Sequence, residues 1–463
     1  MSANHLADTL LQTEKFLFLE EILNYFRKVF SLWNTQIWLF AFVVVTHIFG
    51  GWLLQLTESR NQNLDGFSSF LDFWFNSASI GTFTGLTRGD VGNYSFGGQV
   101  VLSALMFTNA LKNNLLTLIL ISLLRQKRGE IKRRYEFSEK MFAIAILDIF
   151  FWVFVGMLAL LVFGAGSSWE AFFNAQSHLF NDGVTSQTEN MIKYATNNGM
   201  LIVGGLLVIV GHTNFGVRAW FYQKLAILVK RISRNKVNFE TTLAEVVPPT
   251  SYVVIMLAFD FFLVQGGYIA LSREPDLTNV QAWYYSVVAR TAGFAVGDLN
   301  NWSSFSIFIY IVLMWTGGAS GSFAGGGWKT STPLYWIAEL KKLLFNGVER
   351  KLFGIRFWRR SRVEATIRLA LVTPAVVVIA CWIYLQQNVP FHKVLFEAVS
   401  SFATCGNTLF TTMEAHSLTV PSILAFIFLM ESGNLGFFTV ILSIFPATRE
   451  NVPKHVEDEQ DLE

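Results

Sequence analysis

Charge is what this sequence lacks most. Of its 463 residues only 15% are charged, against 52% hydrophobic. A soluble domain carries about 25% charged residues. The deficit excludes an ordinary water-facing globule and predicts a polytopic membrane protein. The formal net charge of +2 says nothing as a total. Cysteine is nearly absent. Cys381 and Cys405 cannot build a disulfide framework and have no metal-type neighbours, so Cys381 reads as a small apolar filler. Also missing are HExxH, a nucleophile elbow and CxxC, which argues against an enzyme. Nor do residues 1–33 read as a cleavable signal peptide, because Glu14, Lys15, Glu20, Glu21, Arg27 and Lys28 interrupt them. Their apolar residues, among them Leu10, Leu11, Phe16, Leu17 and Phe26, fall largely on one helical face, as in a helix lying on the membrane surface.

Long apolar runs are there instead, near 36–55, 98–124, 141–164, 199–225, 250–271, 303–340 (interrupted), 364–386 and 418–445. Inside each successive pair lies a shorter mixed segment, at 67–81, 169–180, 279–290 and 391–403. Such lengths are too short to span and suit re-entrant elements. The expected fold is therefore an all-α polytopic membrane protein of four span–pore helix–span repeats around a central pore, with eight main spans and four re-entrant pore helices. The expected divisions are an amphipathic segment 1–33, repeat 1 at 34–124, a basic linker 125–139, repeat 2 at 140–234, repeat 3 at 247–345, a basic linker 346–362, repeat 4 at 363–446 and an acidic tail 447–463. The connections between pairs, "RQKRGEIKRR", "KRISRNK" and "ERKLFGIRFWRRSR", concentrate Lys and Arg. Basic stretches flanking spans are topology signals far more often than nucleic-acid sites, so no nucleic-acid partner is expected. They place the linkers and both termini in the cytoplasm, and the short segments approach from outside.

The short segments end in polar turns with a glycine: Gly85, Gly183, Gly293 and Gly406. Aligned on these, Phe75, Phe173, Trp283 and Phe396 stand ten residues upstream; Asn76, Asn174, Tyr284 and Glu397 nine; Ser79, Ser177, Val287 and Ser400 six. Several matching columns at matching places in the topology mark a fourfold repeat. Non-helical backbone cannot face lipid but is tolerated along a water-filled path. Four such turns around one axis present rings of carbonyl oxygens able to replace a cation's hydration shell. Glycine reaches the backbone angles this needs, and Thr82, Thr84, Thr291 and Thr404 can anchor the turns. The C-terminal ends of the short helices would favour a cation at the same axis.

The stretches "SVVARTAGF", "LMWTGGASGSFAGGGWKTST" and "LFEAVSSFATCGNT" resemble the Trk/Ktr/HKT superfamily of potassium transporters, in particular its bacterial TrkH and KtrB subunits. The resemblance covers nearly the whole chain after residue 34 and is strongest in the third repeat. It implies potassium, with sodium as the alternative, as the transported ion held at the filter, with no organic cofactor in this chain. It also implies a multi-pass protein of the cytoplasmic membrane, a homodimer, and a separate cytoplasmic nucleotide-binding regulatory subunit. The implied filter comprises Thr82, Phe83, Thr84 and Gly85; Asn181, Asp182 and Gly183; Thr291, Ala292 and Gly293; Thr404, Cys405 and Gly406. Arg290 and Glu397 would support it. Glycine at the first filter position matches potassium-preferring members. The run Gly317, Gly318, Gly321, Gly325, Gly326 and Gly327, at 316–327, matches a loop within the membrane that obstructs conduction. A run of glycines is what a movable, poorly packed plug would need. Trp328 before Lys329 argues against a phosphate loop.

The sequence also departs from the family. Where relatives carry "GRLG" in the last span, this chain has "GNLGFF", with Asn434 in place of the arginine. Alignment brings Lys112 and His212 to the same level, and Glu431, one turn from Asn434, is a candidate partner for Lys112. Lys112 then either faces the pore below the filter as a barrier to cations, or snorkels away from the pore or closes an interhelical salt bridge. Asp182 either concentrates cations or, slightly preferred, braces the filter. Asp148 and Asp260 read as polar packing rather than a proton or sodium relay. Competing functions are a sodium-conducting or potassium/sodium symporting relative, a membrane-embedded enzyme using His47, His178 and His212, and a non-conducting assembly subunit.

Overall fold

The computed structural model describes residues 35–59, 61, 63–64, 66–124, 131–233, 250–319, 321–330, 332–344 and 371–435. The amphipathic segment 1–33, the linker 346–362, the first half of the linker 125–139 and the tail 447–463 lie outside these residues. The chain divides into two units, 1–46 with 435–463, and 47–434. The contacts and the site described below lie within the second.

Among the described residues the secondary structure is helical, apart from an isolated bridge between Thr316 and Trp328. In chain order come α1 (Thr35–Glu58), α2 (Phe70–Gly81), α3 (Phe96–Leu124), α4 (Ile131–Val162), α5 (Ser168–Phe180), α6 (Asn198–His212), α7 (Phe215–Ser233) and α8 (Thr250–Leu271). They continue with α9 (Asn279–Val288), α10 (Ser304–Trp315), α11 (Thr332–Leu344), α12 (Thr373–Tyr384), α13 (Phe391–Ala403), α14 (Thr412–His416) and α15 (Val420–Leu435). Phe40–Glu58, Ala143–Val162 and Thr250–Leu271 are each long and apolar enough to cross a membrane. Phe49, Trp52, Phe150, Phe151, Phe154, Phe261 and Phe262 stand exposed on these helices. Apolar side chains facing outward on long helices are what a lipid solvent requires.

The short helices α2, α5, α9 and α13, of 12, 13, 10 and 13 residues, are buried along most of their length. Three of them start on a hydroxyl cap. The Ser69 and Thr278 side chains form reciprocal capping boxes with Asp72 and Gln281, and Ser167 accepts from the Glu170 N–H. Each long helix that follows a short one packs on the next repeat's short helix: α3 on α5, α6 on α9, and α10 on α13.

Two segments differ from the sequence expectation. The span read over 199–225 is not one helix: α6 and α7 meet at a 105° bend. Thr213 is extended, and the Asn214 side chain accepts from the Val217 N–H at 2.9 Å to begin α7 afresh. Arg218 takes up the freed Val210 and Thr213 carbonyls while its Nε pairs with Asp148 Oδ2 at 2.9 Å. Asp148 also accepts from the Tyr222 hydroxyl. Cys381, read as a core filler, is exposed on α12, where an apolar surface suits a thiol as well as a core does.

Outside the spans, α14 is held by Lys393, whose Nζ lies 2.9 Å from Glu414 Oε2. Burial alone would raise the Glu414 carboxyl, but the Thr411 N–H and the Lys393 ammonium outweigh it and hold it below the usual glutamate value. Its stabilisation is therefore complete above the ordinary pKa and is lost as pH falls through the lowered one.

The Asp148–Arg218 pair is buried on both sides. Asp148→Ala should leave the guanidinium uncompensated and cost about 3–5 kcal/mol, read as a lowered thermal midpoint in detergent. Asp148→Asn, which keeps an acceptor, should cost less.

Candidate functional site

Each short helix ends the same way. The residues two before the glycines, Phe83, Asn181, Thr291 and Thr404, have positive φ of 58°, 58°, 79° and 51°. The glycines follow at 76°, 81°, 58° and 92°. Left-handed backbone at a non-glycine residue is uncommon. Four instances in register therefore mean one repeated turn. In three repeats the residue between the two donates back across the turn: Thr84 N–H to Ser79 O at 2.8 Å, Asp182 to Ser177 at 2.9 Å, and Cys405 to Ser400 at 2.9 Å. This is the Schellman bond that ends a helix on a left-handed residue. The serines six before the glycines supply its acceptors. Repeat 3, with Val287 at that place, closes one residue tighter, Ala292 to Val288 at 2.8 Å.

The four turns close on one another. A Cβ on Gly85 would overlap the Asp182 carbonyl oxygen, one on Gly183 would meet Ala292 O, one on Gly293 would overlap Cys405 O, and one on Gly406 would overlap Thr84 O. The order runs from repeat 1 through 2, 3 and 4 and back to 1. Four bare α-carbons and four carbonyls thus form a closed ring with no room for a side chain.

Above it opens a cavity of about 440 Å³, lined by Gly85, Gly293 and Gly406 and by three acids, Asp90, Glu189 and Asp298, with no Lys or Arg among its lining residues. Such a mouth favours cations electrostatically.

The rising chain after each turn is clamped by its own short helix. Asn76 Oδ1 accepts from the Arg88 N–H at 2.7 Å, and Asn174 Oδ1 from Ser186 at 3.4 Å. Glu397 Oε1 accepts from Thr408 Oγ1, Leu409 N–H and Phe410 N–H, at 2.7, 2.7 and 3.2 Å. In repeat 3 the clamp is Tyr285, which accepts from the Val296 N–H at 2.9 Å and donates to Gly297 O. The aligned Tyr284 instead meets His178 Nε2 at 2.9 Å. The adjacent tyrosine pair hid this one-residue shift, which follows the tighter end of α9.

Below the ring lies the glycine loop. Its N–H groups at Ala319 and Phe323 donate to the His212 and Gly211 carbonyls at 3.0 and 3.2 Å. Gly326 donates to Ala403 O at 2.8 Å and Gly325 to Thr291 Oγ1 at 3.1 Å. Arg290 is fully buried behind the third turn, pairs with Asp260, and donates to Gly317 O at 3.1 Å. Phe323 packs on Phe83 and Phe180, with ring centroids at 5.9 and 5.1 Å, and the Arg218 guanidinium lies 5.2 Å from its ring. The expectation of a poorly packed plug is therefore wrong: the loop's glycines let backbone meet backbone, and that contact ties it down. Gly317, Gly318, Gly325, Gly326 and Gly327 are buried in it, and Gly321 is half-buried at its tip.

Further placements correct the sequence reading. Glu431 acts on Lys112 through its charge, while its direct contact is with His47, Oε1 to Nδ1 at 2.5 Å. Lys112 Nζ donates instead to Asn434 Oδ1 at 2.9 Å, and Asn434 Nδ2 donates to the Thr82 carbonyl at 2.9 Å. Asp182 is fully buried but neither carboxylate oxygen has a hydrogen-bond partner, so it is no brace. His212 ends α6 with its ring buried near Arg290 and Asp260 and its carbonyl on the loop. Among the described residues no cluster of His, Cys, Asp and Glu could hold a metal ion. Thr82 Oγ1 reaches Ser79 O at 3.0 Å and Thr84 Oγ1 at 2.8 Å. Two residues near the ring had no signal beyond their type. Asn190 Nδ2 donates to Gly183 O at 2.9 Å, and Asn407 Nδ2 to Phe294 O at 3.2 Å.

The family model for TrkH, a cation transport protein, matches residues 134–449. The chain belongs to the TrkH family. It is 25% identical over 422 residues to the potassium/sodium uptake protein NtpJ of Enterococcus hirae, covering 86% of this chain and 90% of that protein. It is 26% identical to the Ktr system potassium uptake protein B of Vibrio alginolyticus over 80% of this chain and 84% of the relative. The fold matches the crystal structure of the potassium transporter TrkH from Vibrio parahaemolyticus with a TM-score of 0.70 at 16% identity, over 89% of this chain and 85% of that one. This TrkH-family chain is thus a multi-pass membrane transport protein of the Trk/Ktr superfamily, not an enzyme.

Removing the Glu397 acceptor strands the buried Leu409 N–H, worth about 1–3 kcal/mol, and releases Thr408 Oγ1 and the Phe410 N–H. Glu397→Ala should lower the thermal midpoint in detergent well below that of Glu397→Gln, which retains an acceptor oxygen.

Proposed function

We propose that this protein takes up potassium through a channel-like pore whose selectivity filter is the ring at Gly85, Gly183, Gly293 and Gly406. The closed cyclic contact of the four turns carries this reading. Carbonyls at Thr84, Asp182, Ala292 and Cys405 each meet the glycine of another turn, and a ring of carbonyls is what would supply oxygen ligands to a dehydrated cation, with the acidic mouth to attract it. The names of the potassium and potassium/sodium uptake relatives support the ion class, and glycine at the first position favours potassium over sodium. Arg290 and Glu397 hold the filter from behind and above. The loop 316–327 is the gate, lying between α6, the third turn and the fourth. A cytoplasmic nucleotide-binding partner moves it, in a homodimer of the cytoplasmic membrane with both termini inside. The naming of relatives as parts of a Ktr system supports such a partner.

Lys112 and Asn434 form the inner rim. An ammonium close below the filter raises the barrier for a cation, and His212 and Glu431 stand at the same level.

The filter is tested by potassium uptake in a transport-deficient bacterium. The wild-type chain should restore growth at low potassium. Gly293→Ser should lose uptake or potassium preference while still reaching the membrane, and unchanged uptake and preference would overturn the filter. Sodium competition as strong as potassium's would favour the sodium-conducting alternative.

For the inner rim, Lys112→Ala should raise flux by about tenfold, a barrier change of about 1.4 kcal/mol, with Lys112→Arg near wild type. Equal flux in all three ends the barrier role.

A further inference from the structure

We infer that Asn190 is a positioning residue that sets the ion preference of the second filter turn, an inference resting on the filter reading above. Residues 189 and 190 both adopt left-handed backbone, φ 61° and 55°. This kink turns the chain back over the ring and brings the Asn190 amide onto it. Its Nδ2 donates to the carbonyl of Gly183 itself at 2.9 Å, and its Oδ1 accepts from the Ala295 N–H at 3.4 Å. Beside it the Met191 N–H donates to Ala295 O at 3.1 Å. One side chain thus joins the second turn to the chain rising from the third, and it lines the outer cavity.

A carbonyl that accepts a hydrogen bond is fixed in direction and gives up part of its lone-pair density. The Gly183 oxygen is therefore both a held and a weakened ligand. Cation discrimination depends on the number and field strength of such oxygens and on how firmly they hold their spacing. The amide acts on both. Among the described residues the Asp182 carboxylate has no hydrogen-bond partner. Beyond the backbone bond to Ser177 and the Asn174 clamp, the side chain that holds the second turn is therefore Asn190, where the fourth has Ser400, whose Oγ accepts from the Gly406 N–H at 3.0 Å. Asparagine is also among the few residues that tolerate a left-handed backbone.

The test compares uptake of potassium, rubidium and sodium by the full-length wild type, Asn190→Asp, Asn190→Gly and Gly293→Ser in the same cells. Asn190→Asp keeps shape and backbone tolerance but cannot donate when ionised. Asn190→Gly removes the amide at a φ that glycine adopts freely, so folding is spared. Both should shift the potassium-to-sodium preference by about five- to tenfold, the worth of one hydrogen bond. Asn190→Asp should move back toward wild type as external pH is lowered and its carboxyl regains a proton to donate. Preference unchanged within about twofold in both variants, with Gly293→Ser altered, overturns the role of Asn190 and leaves the filter standing. A shift in Asn190→Asp alone assigns the effect to added charge and also overturns it. No change in any variant removes the filter reading and this inference with it.

Discussion

Four α-carbons without side chains, each pressed against the carbonyl of the next repeat, are the constraint on which the rest of the unit depends. The contact leaves no space for a methyl group at any of the four positions. It also demands that four short helices stop at one level and turn the same way. The left-handed residues two before each glycine do this, and their strain is tolerated because each turn is bonded back into its helix and clamped by a side chain from above. Loosening any clamp would let one side of the ring drift, and carbonyl spacing is what a dehydrated ion reads.

A ring built from one polypeptide need not be symmetric, and this one is not. The same clamping task falls to an amide in repeats 1 and 2, a phenol in repeat 3 and a carboxylate in repeat 4. A homotetrameric ring cannot vary one joint alone, whereas here each joint is separately open to change. Asp182, Asn190 and Phe83 are one-repeat features of this kind. The Lys112–Asn434–Thr82 chain is another, since it connects an ammonium to the first turn and to no other.

Much of this was legible in the sequence because it is local or periodic. Apolar runs and short intervening segments mark long and short helices, and a glycine that must have positive φ leaves a trace at fixed spacing. The serine column was visible although its use, as acceptor for a helix-ending bond, was not. What escaped notice depends on partners distant in sequence. The bend after His212 falls at the polar stretch His212–Asn214 of a run read as one span, and Arg218 reaching Asp148, 70 residues away, helps to hold it. Glu431 has Asn434 one turn away and was read as facing Lys112, but His47, 384 residues away, takes it. The tyrosine that clamps repeat 3 was missed by one residue, because alignment on glycine assumes equal turns and α9 ends more tightly than the others.

The loop beneath the ring shows how firmly a glycine-rich segment can be held. Besides the bond Gly317 accepts from Arg290, four of its own N–H groups tie it to α6, the third turn and the end of α13, each worth about 0.5–1.5 kcal/mol net. Their sum, about 2–6 kcal/mol, is the scale on which displacing the loop must be judged, before counting Phe323 between its aromatic neighbours and Arg218. Moving a two-state equilibrium from 1:99 to 99:1 takes about 5.5 kcal/mol of differential binding. The two magnitudes match. If the loop is the gate proposed above, a loop fastened this way would stay shut by itself yet remain within reach of one partner that prefers an open arrangement. Because His212 and Gly211 supply two of the four acceptors, the most direct lever on the loop is the bend between α6 and α7. That bend leads through α7 toward the basic residues that follow it in the sequence. A partner pulling on α7 would withdraw both acceptors together.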